Sequence, residues 1–390
     1  MNTSILFYVQ HLLGIGHLRR ALYLIEALAD AGFAVTLVSG GEPLPDLGSA
    51  AARRVVQLPP IRASDPSFKR LIAADGGPLT TALWTARGEQ LLAAFAEARP
   101  AAIVIEAYPF GRRAFRHELQ ALIGAAREQR PRPLVLCSVR DIVVPPARES
   151  RQHETVARIS ADFDAVLVHG DPRLVTLEAS FPLTAAIADK LVYTGYVVAP
   201  APSGAAEPSS AEDEVLVSVG GGAMGNGLLR TAVAARRQGW LSACRWRLLA
   251  GLNLPETDFA ALTTDLPPGL VVERYRLDFP ELLRRCRVSV SQAGYNTVLE
   301  ILAARVPAVL VPFADLRESE QTLRAERLAA RGIVEIVPEQ ALSPARLGAA
   351  IEQALRRPPP PIDIDTSGAR RTAIIIREMI AKRASPAPAG

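Results

Sequence analysis

A chain of 390 residues has the length for two domains, each with its own core. Hydrophobic residues at 49% and charged residues at 22% are ordinary for a soluble globular protein. The net charge of +4 and a pI near 9.1 are mildly basic, and no Lys/Arg block is dense enough to argue for a nucleic-acid partner.

Cys137, Cys244 and Cys286 are scattered and odd in number, which reads as buried reduced thiols in a cytoplasmic protein and excludes a disulfide frame or a zinc site. The N-terminus has no basic n-region and its apolar run is broken, so it does not read as a signal peptide. No apolar run approaches the roughly 20 residues of a membrane span, although weak peripheral attraction to a membrane surface stays compatible with the charge.

In chain order, strand and helix alternate. Ile5 to Val9 reads as a strand, and His17 to Ala31 as a helix with Leu18, Leu22, Ile25 and Leu28 inward. Further strands are expected at Phe33–Ser39, Arg54–Leu58, Ala102–Glu106, Leu134–Ser138, Ala165–His169 and Leu191–Thr194, with helices notably at Leu83–Ala98 and Arg113–Glu128. Composition changes at Val198 to Glu214, where large apolar residues almost vanish, so this stretch reads as a linker. The alternation then resumes with strands at Val215–Val219, Trp246–Ala250, Leu270–Glu273, Val288–Ser291, Ala308–Val311 and Ile333–Val337. A proline run at 358–361 breaks the chain before a last helix at Ala369–Lys382. Near-continuous apolar strands separated by helices indicate parallel sheets covered on both faces, hence two doubly wound α/β domains.

Three turns between a strand and a helix carry the chemistry. In the first, Gly14 and Gly16 permit a tight turn, and His17 falls at the start of the following helix in a GxGHxxR spacing. An imidazole there can take a proton from a hydroxyl or a water near neutral pH. The second turn opens the second domain: Ser218 precedes Gly220, Gly221 and Gly222, a backbone cradle for phosphate that lacks the lysine of a hydrolysing P-loop. The third runs Ser291-Gln292-Ala293-Gly294 into a helix carrying Asn296, Thr297 and Glu300, and the following strand leads to Arg317, Glu320 and Gln321. In open parallel sheets ligands bind at such carboxyl ends.

The pattern SxAGxxTxxE, followed by VP and a polar loop ending in Gln, resembles the donor-nucleotide site of GT-B glycosyltransferases, and is most similar to glycosyltransferase family 28. The resemblance implies two Rossmann-like doubly wound domains facing across a cleft. Residues 1–197 would be the acceptor domain, 198–214 the linker and 215–365 the donor domain. Residues 366–390 would form a helix and tail crossing back to the first domain. It also implies that Glu300 accepts from the ribose hydroxyls. Ala293, Gly294 and Asn296, with Gly220, Gly221 and Gly222, would line the diphosphate, and the backbone near Tyr275 would hold the uracil. Gln321, with Glu320 or Arg317, would reach the sugar. Family members need no metal, so neither a metal nor another cofactor is expected beside the UDP-sugar and an acceptor.

By the same resemblance His17 would deprotonate an acceptor hydroxyl, giving inversion at the anomeric carbon. Glu106 closes a first-domain strand and is placed to orient the imidazole. Arg112 and Arg140 follow first-domain strands and are candidates to face an anionic acceptor. The first turn lacks the second glycine pair and proline of the family's peptidoglycan-assembly members. Its GxGHxxR form also resembles a nucleotide-sugar hydrolase of GT-B-like fold, in which such a histidine activates water. A non-catalytic nucleotide-sugar-binding protein would keep Glu300 and need no His17.

Overall fold

The structure is a computed structural model that describes residues 3–12, 15–43, 51–64, 70–144, 148–199, 212–220, 225–276, 278–313, 320–357 and 363–384. The chain divides into two compact units, 1–197 with 364–390, and 198–363.

The first unit is a seven-stranded parallel sheet in the order β3-β2-β1-β6-β7-β8-β9. Its elements are β1 (Ser4–Val9), α1 (Gly16–Asp30), β2 (Ala34–Ser39), β3 (Arg54–Gln57), β4 (Ile61–Ala63), β5 (Leu71–Ala73), α2 (Thr81–Ala98) and β6 (Ala102–Glu106). There follow α3 (Arg116–Glu128), β7 (Leu134–Arg140), α4 (Glu149–Asp162), β8 (Ala165–His169) and β9 (Leu191–Tyr193). Strands β4 and β5 form a separate antiparallel pair.

Because side chains alternate across a strand, Ile5, Phe7 and Val9 join one apolar cluster with Leu18, Leu24 and Ile25 of α1, while Leu6 and Tyr8 join another with Leu91, Phe95 and Leu119 of α2 and α3. On α1 the structure differs from expectation at one position: Leu22 is only half-buried, and Leu24 takes the fully buried place. Leu18, Ala21, Leu24, Ile25 and Leu28 follow the helical period, and Leu22 falls on the flank of that stripe.

The second unit is a six-stranded parallel sheet in the order β12-β11-β10-β13-β14-β15. It is built from β10 (Glu212–Ser218), α5 (Asn226–Arg237), β11 (Arg245–Leu249), α6 (Glu256–Thr263), β12 (Leu270–Glu273), α7 (Phe279–Arg285) and β13 (Cys286–Ser291). After these come α8 (Tyr295–Ala304), β14 (Ala308–Leu310), α9 (Glu320–Ala329), β15 (Glu335–Ile336) and α10 (Pro344–Arg356). Trp246 is fully buried at the centre of its core, among Val215, Val217, Leu229 and Leu347.

The last helix, α11 (Gly368–Ala384), belongs to the first unit, where Ala373 and Ile376 are buried in the cluster that α1 also covers. Its approach is tied by Tyr196 N–H donating to Asp365 O at 2.7 Å and Gly368 N–H to Tyr196 O at 3.0 Å. All three cysteines are free and buried, and no helix among the described residues is long and apolar enough to cross a membrane.

Candidate active site

In both sheets the strand order reverses direction between two neighbours that hand over to helices on opposite faces, the kind of switch point at whose carboxyl ends open parallel sheets bind ligands. In the first unit those neighbours are β1 and β6, which pair directly with Tyr8 opposite Ile105. The turn after β1 delivers His17 on the first turn of α1, and β6 ends at Glu106.

His17 Nδ1 lies 2.9 Å from Glu106 Oε1. The imidazole is 22% exposed and the carboxylate fully buried. Arg20, one turn along α1, forms an ion pair with the same Glu106 oxygen, and Ser138 Oγ donates to Glu106 Oε2 at 2.6 Å. Burial alone would raise the Glu106 pKa, but Arg20, His17 and Ser138 outweigh it and hold the carboxyl far below its usual range. Glu106 is therefore an anion that can only accept, which requires the proton on Nδ1 of His17 and leaves Nε2 with its lone pair.

Burial and the positive charge of Arg112 push the His17 pKa down to about 3, against the opposing pull of Glu106. Arg112 donates from Nε to Gln10 O at 2.7 Å, and burial lowers its own pKa to about 10, with Arg140 adding to the effect. Arg140, half-buried at the end of β7, belongs to the same electrostatic neighbourhood. The sheet end thus brings the guanidinium groups of Arg20 and Arg112 to the surroundings of Glu106 and a neutral histidine, with Arg140 near Arg112.

In the second unit the corresponding neighbours are β10 and β13, paired with Ser218 opposite Ser291. Both hydroxyls are buried and lack a hydrogen-bond partner among the described residues. Gln292 N–H donates to Ser218 O at 3.3 Å, which joins the two strand ends. Gly220 sits in the left-handed region at φ +64°, which glycine adopts without strain. Gly294 is the N-cap of α8 and brings no side-chain cap, so the positive end of the helix dipole is presented through backbone alone. Asn296 and Thr297 are half-buried on the first turn, and Glu300 is 6% exposed further along.

Arg324, which the sequence pattern does not single out, fixes this turn. Its Nη1 donates to Ala293 O at 3.1 Å, and its charge pairs with Glu320 at 2.9 Å and lies over the Tyr295 ring at 5.3 Å. Glu320 thus points inward to Arg324. Gln321 is half-buried and accepts from Phe313 N–H at 3.1 Å. Tyr275 is 37% exposed just beyond β12. Gly16 is half-buried at the start of α1, whereas Gly14, Gly221, Gly222 and Arg317 lie outside the described residues.

Residues 254–366 match the family model described as the glycosyltransferase family 28 C-terminal domain. Over 178 residues the chain is 32% identical to the UDP-N-acetylglucosamine–N-acetylmuramyl-(pentapeptide) pyrophosphoryl-undecaprenol N-acetylglucosamine transferase of Brucella anthropi, covering 44% of this chain and 48% of that one. Over 104 residues it is 38% identical to an uncharacterized glycosyltransferase of Methanopyrus kandleri, covering 26% of this chain and 30% of the relative. The matched region thus spans about half the length, or less, of these curated relatives. Among solved structures, CalG4, the calicheamicin glycosyltransferase, aligns with a TM-score of 0.60 at 18% identity over 99% of this chain and 96% of that one. MurG of Acinetobacter baumannii aligns at 0.57 and 18% identity over 97% of this chain and 100% of that one. By sequence the chain is similar to glycosyltransferase family 28, matched through its C-terminal domain, and by structure it has the two-Rossmann-domain GT-B fold.

Proposed function

We propose that the protein is an inverting, metal-independent glycosyltransferase that moves a hexosyl group from a UDP-sugar to a hydroxyl acceptor, with His17 as general base. The observation that carries this reading is the His17–Glu106 pair at the switch point of the first sheet, with Nδ1 2.9 Å from the carboxylate, so that the lone pair falls on Nε2. A neutral imidazole so held takes the acceptor's proton as its oxygen attacks the anomeric carbon from the face opposite the leaving group. The adjacent Glu106 anion stabilises the imidazolium that forms.

The donor falls to the second unit, where the family 28 C-terminal domain model matches residues 254–366, and the chain's relative in Brucella anthropi is named for UDP-N-acetylglucosamine. Glu300 holds the ribose. The N-terminus of α8 at Gly294, the Gly220 turn and the hydroxyls of Ser218 and Ser291 stabilise the departing diphosphate in place of a metal ion. Gln321 contacts the sugar, with Arg317. Glu320, paired with Arg324, acts on that contact through the turn it supports. The acceptor is a compound that carries negative charge, which the Arg112 guanidinium would meet: its charge acts on the His17 ring, and Arg140 lies in turn near Arg112.

His17→Ala is expected to lower turnover by about 10²- to 10⁴-fold and to leave UDP affinity unchanged by calorimetry; full activity in that variant removes the base assignment. Glu300→Ala is expected to weaken UDP binding by about 1.5 to 3 kcal/mol, the range for a hydrogen bond to a charged acceptor. Release of free sugar from a UDP-sugar without acceptor, at the rate of turnover with acceptor, would instead assign a hydrolase.

A further inference from the structure

Behind Glu106 a row of polar side chains runs along the carboxyl ends of β6, β7 and β8. Ser138 Oγ stands 2.6 Å from Glu106 Oε2 and 3.0 Å from His169 Nε2, and His169 Nδ1 stands 2.8 Å from Thr194 Oγ1. Glu106, Ser138, His169 and Thr194 are all fully buried. The sheet makes this row because Glu106, Ser138 and His169 each lie near the end of neighbouring strands, Glu106 directly opposite Ser138 and His169 opposite Arg140.

Proton counting gives the row one direction. A carboxylate has no proton to give, so a 2.6 Å contact to Oε2 requires the single hydroxyl proton of Ser138. With that proton committed, Ser138 Oγ accepts, and His169 Nε2 must be the donor. Burial and the nearby charge of Arg20 push the His169 pKa down to about 3, so the ring is neutral and its Nδ1 is the acceptor. Thr194 then donates to Nδ1 at 2.8 Å, in preference to Gly195 O at 3.0 Å or Val168 O at 3.4 Å. If Thr194 turned its proton to the carbonyls, His169 would have to carry its proton on Nδ1, Ser138 would donate to His169, and Glu106 would lose this donor.

We propose that Ser138 and His169 are positioning residues for His17. The one-way row Thr194 to His169 to Ser138 to Glu106 holds the carboxylate turned toward α1, and so selects the His17 tautomer with its proton on Nδ1 and its lone pair on Nε2. The proposal rests on the reading of His17 as the base, but the row's effect on the tautomer is a property of the unliganded protein. It works as a lever because a buried carboxylate with a donor on each oxygen has one orientation, whereas removal of the Oε2 donor frees it to turn.

The test is ring-nitrogen NMR on the full chain with 15N-labelled histidine at pH 7.5, together with steady-state kinetics. The unmodified protein is expected to show His17 protonated on Nδ1 and His169 protonated on Nε2. Ser138→Ala and His169→Leu should give a mixed His17 tautomer population and about a tenfold lower kcat, with KM for the donor within about twofold. His169→Gln keeps an amide N–H within reach of Ser138 and should restore both the single tautomer and most of kcat. His169 protonated on Nδ1 in the unmodified protein overturns the proposal without any variant having to fold. So does an unchanged His17 tautomer in Ser138→Ala and His169→Leu. If the tautomers respond as stated but His17→Ala stays active, the row stands and the base assignment fails; the reverse pair of results leaves the base and removes the row.

Discussion

His17 is neutral because burial and Arg112 both disfavour its charged form, and this sets the pH behaviour of the site. An ordinary histidine begins to protonate below about 6.5. A ring lowered to about 3 keeps its lone pair through that range, so the acid limb of kcat/KM should lie well below pH 6.5. Arg112→Gln removes a cation from beside the ring, so the His17 pKa should rise and the acid limb move to higher pH. A limb that stays put or moves down in that variant, measured between pH 4 and 8, contradicts this electrostatic account. His169 is likewise lowered to about 3, chiefly by burial, so both rings stay neutral in the fold where the unfolded chain would protonate them, and burial lowers His11 as well. Stability should therefore fall as pH drops from 6.5 toward 4.5, by up to about 1.4 kcal/mol per unit for each ring. Denaturant midpoints across that window measure it. His17 itself is legible from GxGHxxR, and Glu106 from the end of an apolar run. Their contact is not, because they are 89 residues apart and meet only through the adjacency of β1 and β6. Ser138 and His169 give less signal still, since a polar residue at a strand end looks like a simple terminator. Arg324 and Glu320 resemble a solvated helical pair at i,i+4 until the turn at Ala293 is seen to be their partner.

At the scale of elements, α11 shows how a close backbone approach docks a helix. A Cβ added to Gly368 would lie 2.3 Å from Gly195 O and 2.7 Å from the Tyr196 carbonyl carbon, and neither backbone atom can yield as a side-chain tip would. Gly368→Ala should therefore loosen the start of α11 and cost about 1 to 3 kcal/mol, the usual penalty for overpacking. Hydrogen exchange should show faster labelling over Gly368–Ala384 while α5 to α10 stay unchanged; equal protection in the variant would exclude the close approach as the anchor. Most elements are legible for a local reason. Ala102–Glu106 and Ala165–His169 are buried on both faces and read as unbroken apolar runs, and they fall where the pattern places them. The β4–β5 pair does not read as strands, because three residues each, such as Ile61-Arg62-Ala63, are too few to show a period of two. Strand order is also absent from local pattern, since it is chosen by which crossovers cover which face.

At the scale of the whole chain, the two units differ in how they can fold. Residues of the second unit form their cluster around Trp246 within one continuous stretch, 198–363. The first unit is discontinuous: its sheet ends before residue 200, yet the face that α1 covers is completed by Ala373 and Ile376 from α11. Arg377 adds a guanidinium 5.6 Å from the Phe33 ring and donates to Ala31 O, while Arg383 pairs with Asp164. Without α11 the part of that face that α1 does not cover would be exposed, and Ile376 alone accounts for about 1.5 to 3 kcal/mol of apolar burial. A fragment of residues 198–363 should therefore unfold cooperatively by itself and, on the donor reading, retain UDP affinity. A fragment of residues 1–199 should unfold at a lower denaturant concentration than the same sheet does in the full chain, and regain stability when a peptide of residues 363–384 is added in trans. An N-terminal fragment as stable as its counterpart in the full chain, or indifferent to the peptide, would show that α11 rests on a core already complete without it.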